Sequence, residues 1–125
     1  MIPHRKTCLV VDDSKLMRLV ARKILADLDF RTVEASSGRE ALDLCHAHLP
    51  DAVLIDWRMP EMNGLQFLKE FRELPGGEDP LVVFCTTEDD GTHIRQAFSA
   101  GADKCVVKPF DRPMIEAEFC QMGLL

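Results

Sequence analysis

Short apolar runs without polar alternation recur along the chain, separated by longer stretches of helical period. Cys8-Leu9-Val10-Val11, Ala52-Val53-Leu54-Ile55, Leu81-Val82-Val83-Phe84 and Cys105-Val106-Val107 predict strands covered on both faces, as in a parallel sheet. The shorter, more polar Thr32-Val33 predicts a fifth strand at a sheet edge.

The intervening segments carry helix signals. Ser14 is placed to cap a helix whose inward stripe is read as Leu16, Val20, Ile24 and Leu28. Ser37-Gly38 precedes a second helix with Ala41, Leu42 and Cys45 on one face. Asn63-Gly64 opens a third with Leu65, Leu68 and Phe71 inward, before Pro75-Gly76-Gly77. A fourth runs from about Thr92 and stops at Gly101, a residue suited to a left-handed cap. Asp111 and Pro113 start a fifth, with Ile115, Phe119 and Met122 as its stripe. Strict β-α alternation implies an α/β fold, an open five-stranded parallel sheet with right-handed crossovers and helices on both faces.

With 125 residues, the chain is expected to form one domain over residues 1–125. A net charge of −6 argues against nucleic acid as a partner, because phosphate binding needs a positive footprint. No apolar run is long enough for a membrane span. Met1-Ile2-Pro3-His4-Arg5-Lys6 lacks a secretory apolar region, so the cytoplasm is the expected compartment. Cys8, Cys45, Cys85, Cys105 and Cys120 contain no C-x-x-C pair and read as reduced, small buried hydrophobes. His46 and His48, two apart on a helix, face different ways and do not suggest a shared metal.

In an open parallel sheet, chemistry belongs outside the carboxyl ends of the strands. Asp12 and Asp13 end the first strand, Asp56 the third, Thr86 and Thr87 the fourth and Lys108 the fifth. Three carboxylates at one edge repel unless a cation joins them, and hard oxygen donors suit Mg²⁺. Acidic cluster, hydroxyl and ammonium together point to phosphoryl chemistry. Asp56 would be the nucleophile, Lys108 would neutralise developing charge, and Thr86 or Thr87 would donate a hydrogen bond.

These residues give the chain a resemblance to response-regulator receiver domains of two-component signalling, and to single-domain CheY-like members. The resemblance rests on Leu9-Val10-Val11-Asp12-Asp13-Ser14, Ile55-Asp56-Trp57-Arg58-Met59-Pro60, Met62-Asn63-Gly64, Cys85-Thr86-Thr87, Gly101-Ala102-Asp103 and Val107-Lys108-Pro109-Phe110. It implies the flavodoxin-like strand order 2-1-3-4-5. It also implies Asp56 as phospho-acceptor, Thr86 as switch hydroxyl and Lys108 as phosphoryl-binding cation. Mg²⁺ would be held by Asp12, Asp13, Asp56 and the backbone carbonyl of Arg58, and the Lys108-Pro109 bond would be cis. The donor would be a phospho-histidine on a histidine kinase or a histidine phosphotransfer protein. A downstream target would dock on the face of the fourth helix, fifth strand and fifth helix. The resemblance thus implies a monomeric signalling protein in chemotaxis or motility control, not an enzyme with an external substrate. A phosphorelay or cell-cycle intermediate and a phosphorylation-independent scaffold are the alternatives; a phosphatase is disfavoured by Arg58, where a general acid would stand.

Two positions depart from the family pattern. Cys105 stands where an aromatic switch residue is usual, and Arg58 replaces a small polar residue; its long cation could reach Glu88, the alternative being a plain solvated arginine. Lys15, Arg18 and Arg22 are expected to form a basic stripe on the first helix that could steer an acidic partner.

Overall fold

Apolar side chains on both faces of the central strands force helices to cover both sides, and that is the architecture found. The computed structural model describes residues 5–86 and 91–125. Its elements are β1 (Thr7–Val11), α1 (Lys15–Asp27), β2 (Arg31–Ala35), α2 (Gly38–Ala47), β3 (Ala52–Asp56), α3 (Gly64–Glu73), β4 (Leu81–Thr86), α4 (Gly91–Ser99), β5 (Lys104–Val107) and α5 (Arg112–Gln121). The strands pair in parallel in the order β2-β1-β3-β4-β5, with Val11 beside both Ala35 and Ile55. The predicted order and the edge position of β2 both hold, although β2 is longer than the Thr32-Val33 pair alone.

Successive strand residues enter two separate cores. On one face, Cys8, Val10, Leu54, Val83, Cys85 and Val106 pack against Ala21, Ile24 and Leu25 of α1 and Ile115 and Phe119 of α5. On the other, Leu9, Val11, Val53, Ile55, Val82 and Phe84 meet Leu42 and Cys45 of α2, Phe67, Leu68 and Phe71 of α3, and Ala97 of α4.

The caps are those the sequence signals. Ser14 accepts from the Met17 amide, Ser37 from Glu40 and Asp111 from Met114, while Asn63 and Gln66 form a reciprocal capping box. Gly101 adopts a positive φ of 112° after α4, and the Lys108-Pro109 bond is cis.

Three expectations are corrected. Leu16 is 68% exposed, and the buried stripe of α1 is Ala21, Ile24, Leu25 and Leu28. On α3, Phe67 is fully buried whereas Leu65 is half-buried. Cys8, Cys45 and Cys85 are buried free thiols as expected, but Cys105 is half-buried and Cys120 is exposed on the outer side of α5.

Candidate functional site

Parallel pairing brings the carboxyl ends of β1, β3, β4 and β5 to one edge, and their terminal side chains converge there. The Asp12 amide donates to Ala35 O at 3.1 Å, so the chain leaves β1 in register with β2. Asp12 Oδ1 accepts from the Ser14 amide at 2.9 Å, aligning that carboxylate as α1 begins. The Asp12 carbonyl accepts from Arg18 Nη1 at 2.7 Å.

Lys108 joins the sheet ends. Its Nζ lies 2.6 Å from Asp12 Oδ2 and 3.1 Å from Asp56 Oδ1, with all three side chains at most 10% exposed. Its backbone amide donates to Thr86 O at 2.7 Å, which sets where the lysine leaves β5. Asp13 is exposed, yet it offers an oxygen to the same cluster: one carboxylate oxygen each from Asp12, Asp13 and Asp56 lies within 4.8 Å of the others. Among the described residues this is the one place where three such ligands gather.

Three carboxylates against one ammonium leave two uncompensated negative charges. Burial pushes the Asp56 carboxyl above its ordinary value; Lys108 pulls it back, and Asp12 and Asp13 push it up again. For Lys108, burial disfavours the charged form, but its bonds to Asp12 and Asp56 prevail and its pKa is raised. The ammonium therefore stays protonated while the acidic cluster lacks positive charge. An oxygen-only donor set with this deficit fits a hard divalent cation such as Mg²⁺.

The loop after β3 is held close. Trp57 donates its amide to Cys85 O at 3.0 Å and accepts from the Gly64 amide at 2.9 Å. A Cβ at Gly64 would fall 2.5 Å from the Asp56 carbonyl oxygen and 2.7 Å from the Phe84 ring, so only glycine lets α3 start here. A cleft of about 390 Å³ opens beside the cluster, lined by Asp13, Trp57, Arg58, Met59, Pro60 and Asn63. A larger cavity of about 520 Å³ lies at the opposite end of the strands, between the starts of β1 and β2 and the end of α2. It gathers no comparable cluster, so chemistry rather than size locates the site.

The structure brings Asp12, Asp13, Asp56 and Lys108 together, and buries Thr86 at the end of β4. Arg58 is exposed on the cleft rim. Thr87 and Glu88 lie outside the described residues. Cys105 is aligned with Phe84 on β4 and is half-buried, and burial raises its thiol pKa. The expected basic stripe on α1 is largely neutralised: Arg18 and Arg22 both pair with Glu34 of β2, each at 3.3 Å. Lys15 alone of that set projects as an exposed cation with no ion pair among the described residues.

Two structural residues escaped sequence reasoning. Trp57 stacks on His93 of α4, and Arg72 of α3 bonds Gly101, Gly77 and Pro80 carbonyls and Asp103. His93, Gly101 and Asp103 are remote in sequence from the residues they meet, so no local spacing announces these contacts.

The response regulator receiver domain family matches residues 8–119. The chemotaxis protein CheY homolog of Campylobacter jejuni is 42% identical over 104 residues, spanning 82% of this chain and 80% of that protein. Chemotaxis protein CheY of Halobacterium salinarum is 34% identical over 110 residues, spanning 88% of this chain and 90% of that protein. In three dimensions the chain resembles the chemotaxis protein CheY4 of Vibrio cholerae, with a TM-score of 0.90 and 27% identity over 94% of this chain and 98% of that one.

Proposed function

The chain belongs to the response-regulator receiver family of two-component signalling, and from that premise we propose that it takes a phosphoryl group on Asp56 from a phospho-histidine and thereby changes its affinity for a partner protein. The observation that carries this reading is the bridge of Lys108 Nζ between Asp12 and Asp56 beside the third carboxylate of Asp13.

An Asp56 carboxylate oxygen attacks phosphorus, forming a P–O bond as the P–N bond to the donor imidazole breaks. The imidazole leaves with the electron pair of that bond and takes up a proton. Lys108, protonated and held by two carboxylates, is positioned to balance charge on the transferred group, and the buried Thr86 hydroxyl to donate to one of its oxygens. Asp12, Asp13, Asp56 and the Arg58 carbonyl would hold Mg²⁺. When bound, Mg²⁺ supplies neutralisation of the phosphoryl oxygens and of the cluster's own repulsion. Water later cleaves the acyl phosphate, returning the carboxylate and inorganic phosphate.

The likeness to CheY proteins supports chemotaxis or motility control. In this reading residues 1–125 form one receiver domain that acts as a monomer in the cytoplasm. The donor is a histidine kinase or histidine phosphotransfer protein. The proposed target surface is α4, β5 and α5, where Phe98, Val107 and Met114 are exposed. Among the described residues, no helix is long and apolar enough to cross a membrane.

Intact mass after incubation with Mg²⁺ and acetyl phosphate tests the chemistry. One phosphoryl adduct is expected, absent in Asp56→Asn and abolished by EDTA. An adduct that survives in Asp56→Asn would refute the assignment. Mg²⁺ binding without any adduct, from small donors or a histidine kinase, would favour the scaffold alternative.

A further inference from the structure

The cavity of about 520 Å³ at the amino ends of the strands follows from how the sheet is covered. β1 is buried along nearly its whole length, whereas the edge strand β2 is buried only at its last residue, Ala35. α2 ends at Ala47, the backbone is extended at His48, and the chain returns to the sheet at Ala52 of β3. The start of β2 is thus left without a helix over it. The gap between it and the end of α2 is the cavity, and its volume is that of small-molecule sites.

Most of its lining is apolar: Leu9 and Val33 from the sheet, Leu44 and Cys45 from α2, Leu49 and Pro50 from the connection. Leu44 and Leu49 each remain 38% exposed, so large apolar side chains meet water around a concave space. Three ionisable groups also line it, Arg31, His48 and Asp51. Asp51 is already engaged: its Oδ2 accepts from the Thr7 amide at 2.8 Å, and its own amide donates to Thr7 O at 2.9 Å. The acids of β2 and of the turn before it are taken as well, Glu34 by Arg18 and Arg22 and Asp29 by Arg5. The exposed Arg31 guanidinium has no ion pair among the described residues. An apolar hollow therefore carries an uncommitted cation on its rim.

We propose that this cavity is a binding site for a small monocarboxylic acid with an apolar tail, the tail covering Leu9, Val33, Leu44 and Leu49 and the carboxylate accepting from Arg31. A guanidinium presents two parallel N–H donors that match the two oxygens of a carboxylate, so the acid satisfies charge and geometry together. An alcohol with the same tail gains the apolar burial but leaves Arg31 without a counter-charge. An ammonium brings a like charge to Arg31 and finds Asp51 already holding the Thr7 amide. The site lies at the opposite end of the strands from Asp56 and stands independently of the phosphotransfer reading.

Amide NMR spectra of the full chain, titrated with octanoate, octanol and octylammonium below their micelle concentrations, test this. Octanoate should shift the amides of Leu9, Val33, Cys45 and Leu49 saturably and leave those of Asp12 and Asp56 in place. Octanol should act at the same residues roughly tenfold more weakly, the loss expected for a charge-assisted hydrogen bond, and octylammonium more weakly still. Arg31→Gln should weaken octanoate by about the same factor and leave octanol unchanged. Ala47→Trp, at an exposed position that lines the cavity, should fill the space and abolish binding of both. The same spectra show whether each variant keeps its fold. Shifts that do not saturate, or that scatter over the surface, overturn the site, and so does full octanoate binding by folded Ala47→Trp. Equal affinity for octanoate and octanol, tighter binding of octylammonium, or an undiminished octanoate preference in Arg31→Gln overturns the carboxylate assignment.

Discussion

Asp56 and Lys108 sit within 3.1 Å of each other, yet both have raised pKa values, and the two directions have different consequences for stability. Burial and the neighbouring carboxylates make folded Asp56 hold its proton more tightly than the unfolded chain does. Its contribution to stability therefore falls as pH rises from the ordinary value of 3.8 through the folded value, and stays reduced above that. Lys108 acts the other way. Its stabilisation is fully present below the ordinary value of 10.5 and is lost only as pH rises through a still higher folded value, so it is constant across the window where Asp56 titrates. In metal-free protein, Asp56→Asn should accordingly raise Tm at neutral pH by roughly 4 °C, equivalent to about 1 kcal/mol. Lys108 retains Asp12 in that variant, which limits the loss of pairing. The gain should vanish as pH falls below 3.8, where the wild-type carboxyl is neutral in both states. Thermal melts at several pH values in EDTA read this directly, and a gain independent of pH would assign the effect to packing rather than charge.

At the scale of elements, Arg72 shows how one side chain of α3 organises two loops. Its guanidinium, 16% exposed, donates to the carbonyls of Gly77, Pro80 and Gly101 and to Asp103, whose Oδ2 also accepts from the Val82 amide. Arg72→Ala would leave partly buried carbonyls unpaired and should cost about 3 kcal/mol. Arg72→Lys should recover little, because one ammonium cannot reach acceptors spread around a planar fork. Urea melts should show a lower midpoint at unchanged slope for both. Nothing local in the sequence reveals this residue, since Gly101 lies 29 positions away. The strands, by contrast, were legible as apolar runs, and the caps as Ser14, Ser37, Asn63 and Asp111, because both are written in neighbouring residues. The misreading of α1 has a geometric cause. A strict four-residue spacing advances about 40° per step around a helix of roughly 100° per residue, so a stripe begun at Leu16 winds away from the face centred on Ile24 and Leu28. The carboxylate cluster was legible because β-α alternation places every strand end at one edge; the stack of Trp57 on His93 was not, because it depends on how α4 lies across that edge.

For the whole molecule, the sheet is the partition between two cores, and three cysteines report on it. Cys8 and Cys85 lie in the core under α1 and α5, and Cys45 in the core under α2, α3 and α4. Burial pushes the Cys45 thiol up to about 11 and Cys85 up to about 12, and drives Cys8 upward as well. The thiolate is the reactive species, so near pH 8 these groups are protected both by occlusion and by protonation. Cys120 is exposed on α5 and should react with an aromatic disulfide reagent in the first phase, with half-buried Cys105 following. The other three should wait for unfolding. Because β1 and β3 supply residues to both cores, neither core can open while the other keeps the sheet intact, and all three thiols should label with the same dependence on urea as global unfolding. A markedly shallower dependence for Cys45 than for Cys8 and Cys85 would mean that α2 detaches on its own, leaving β2 and the acceptor edge on a less stable unit than the α1–α5 side.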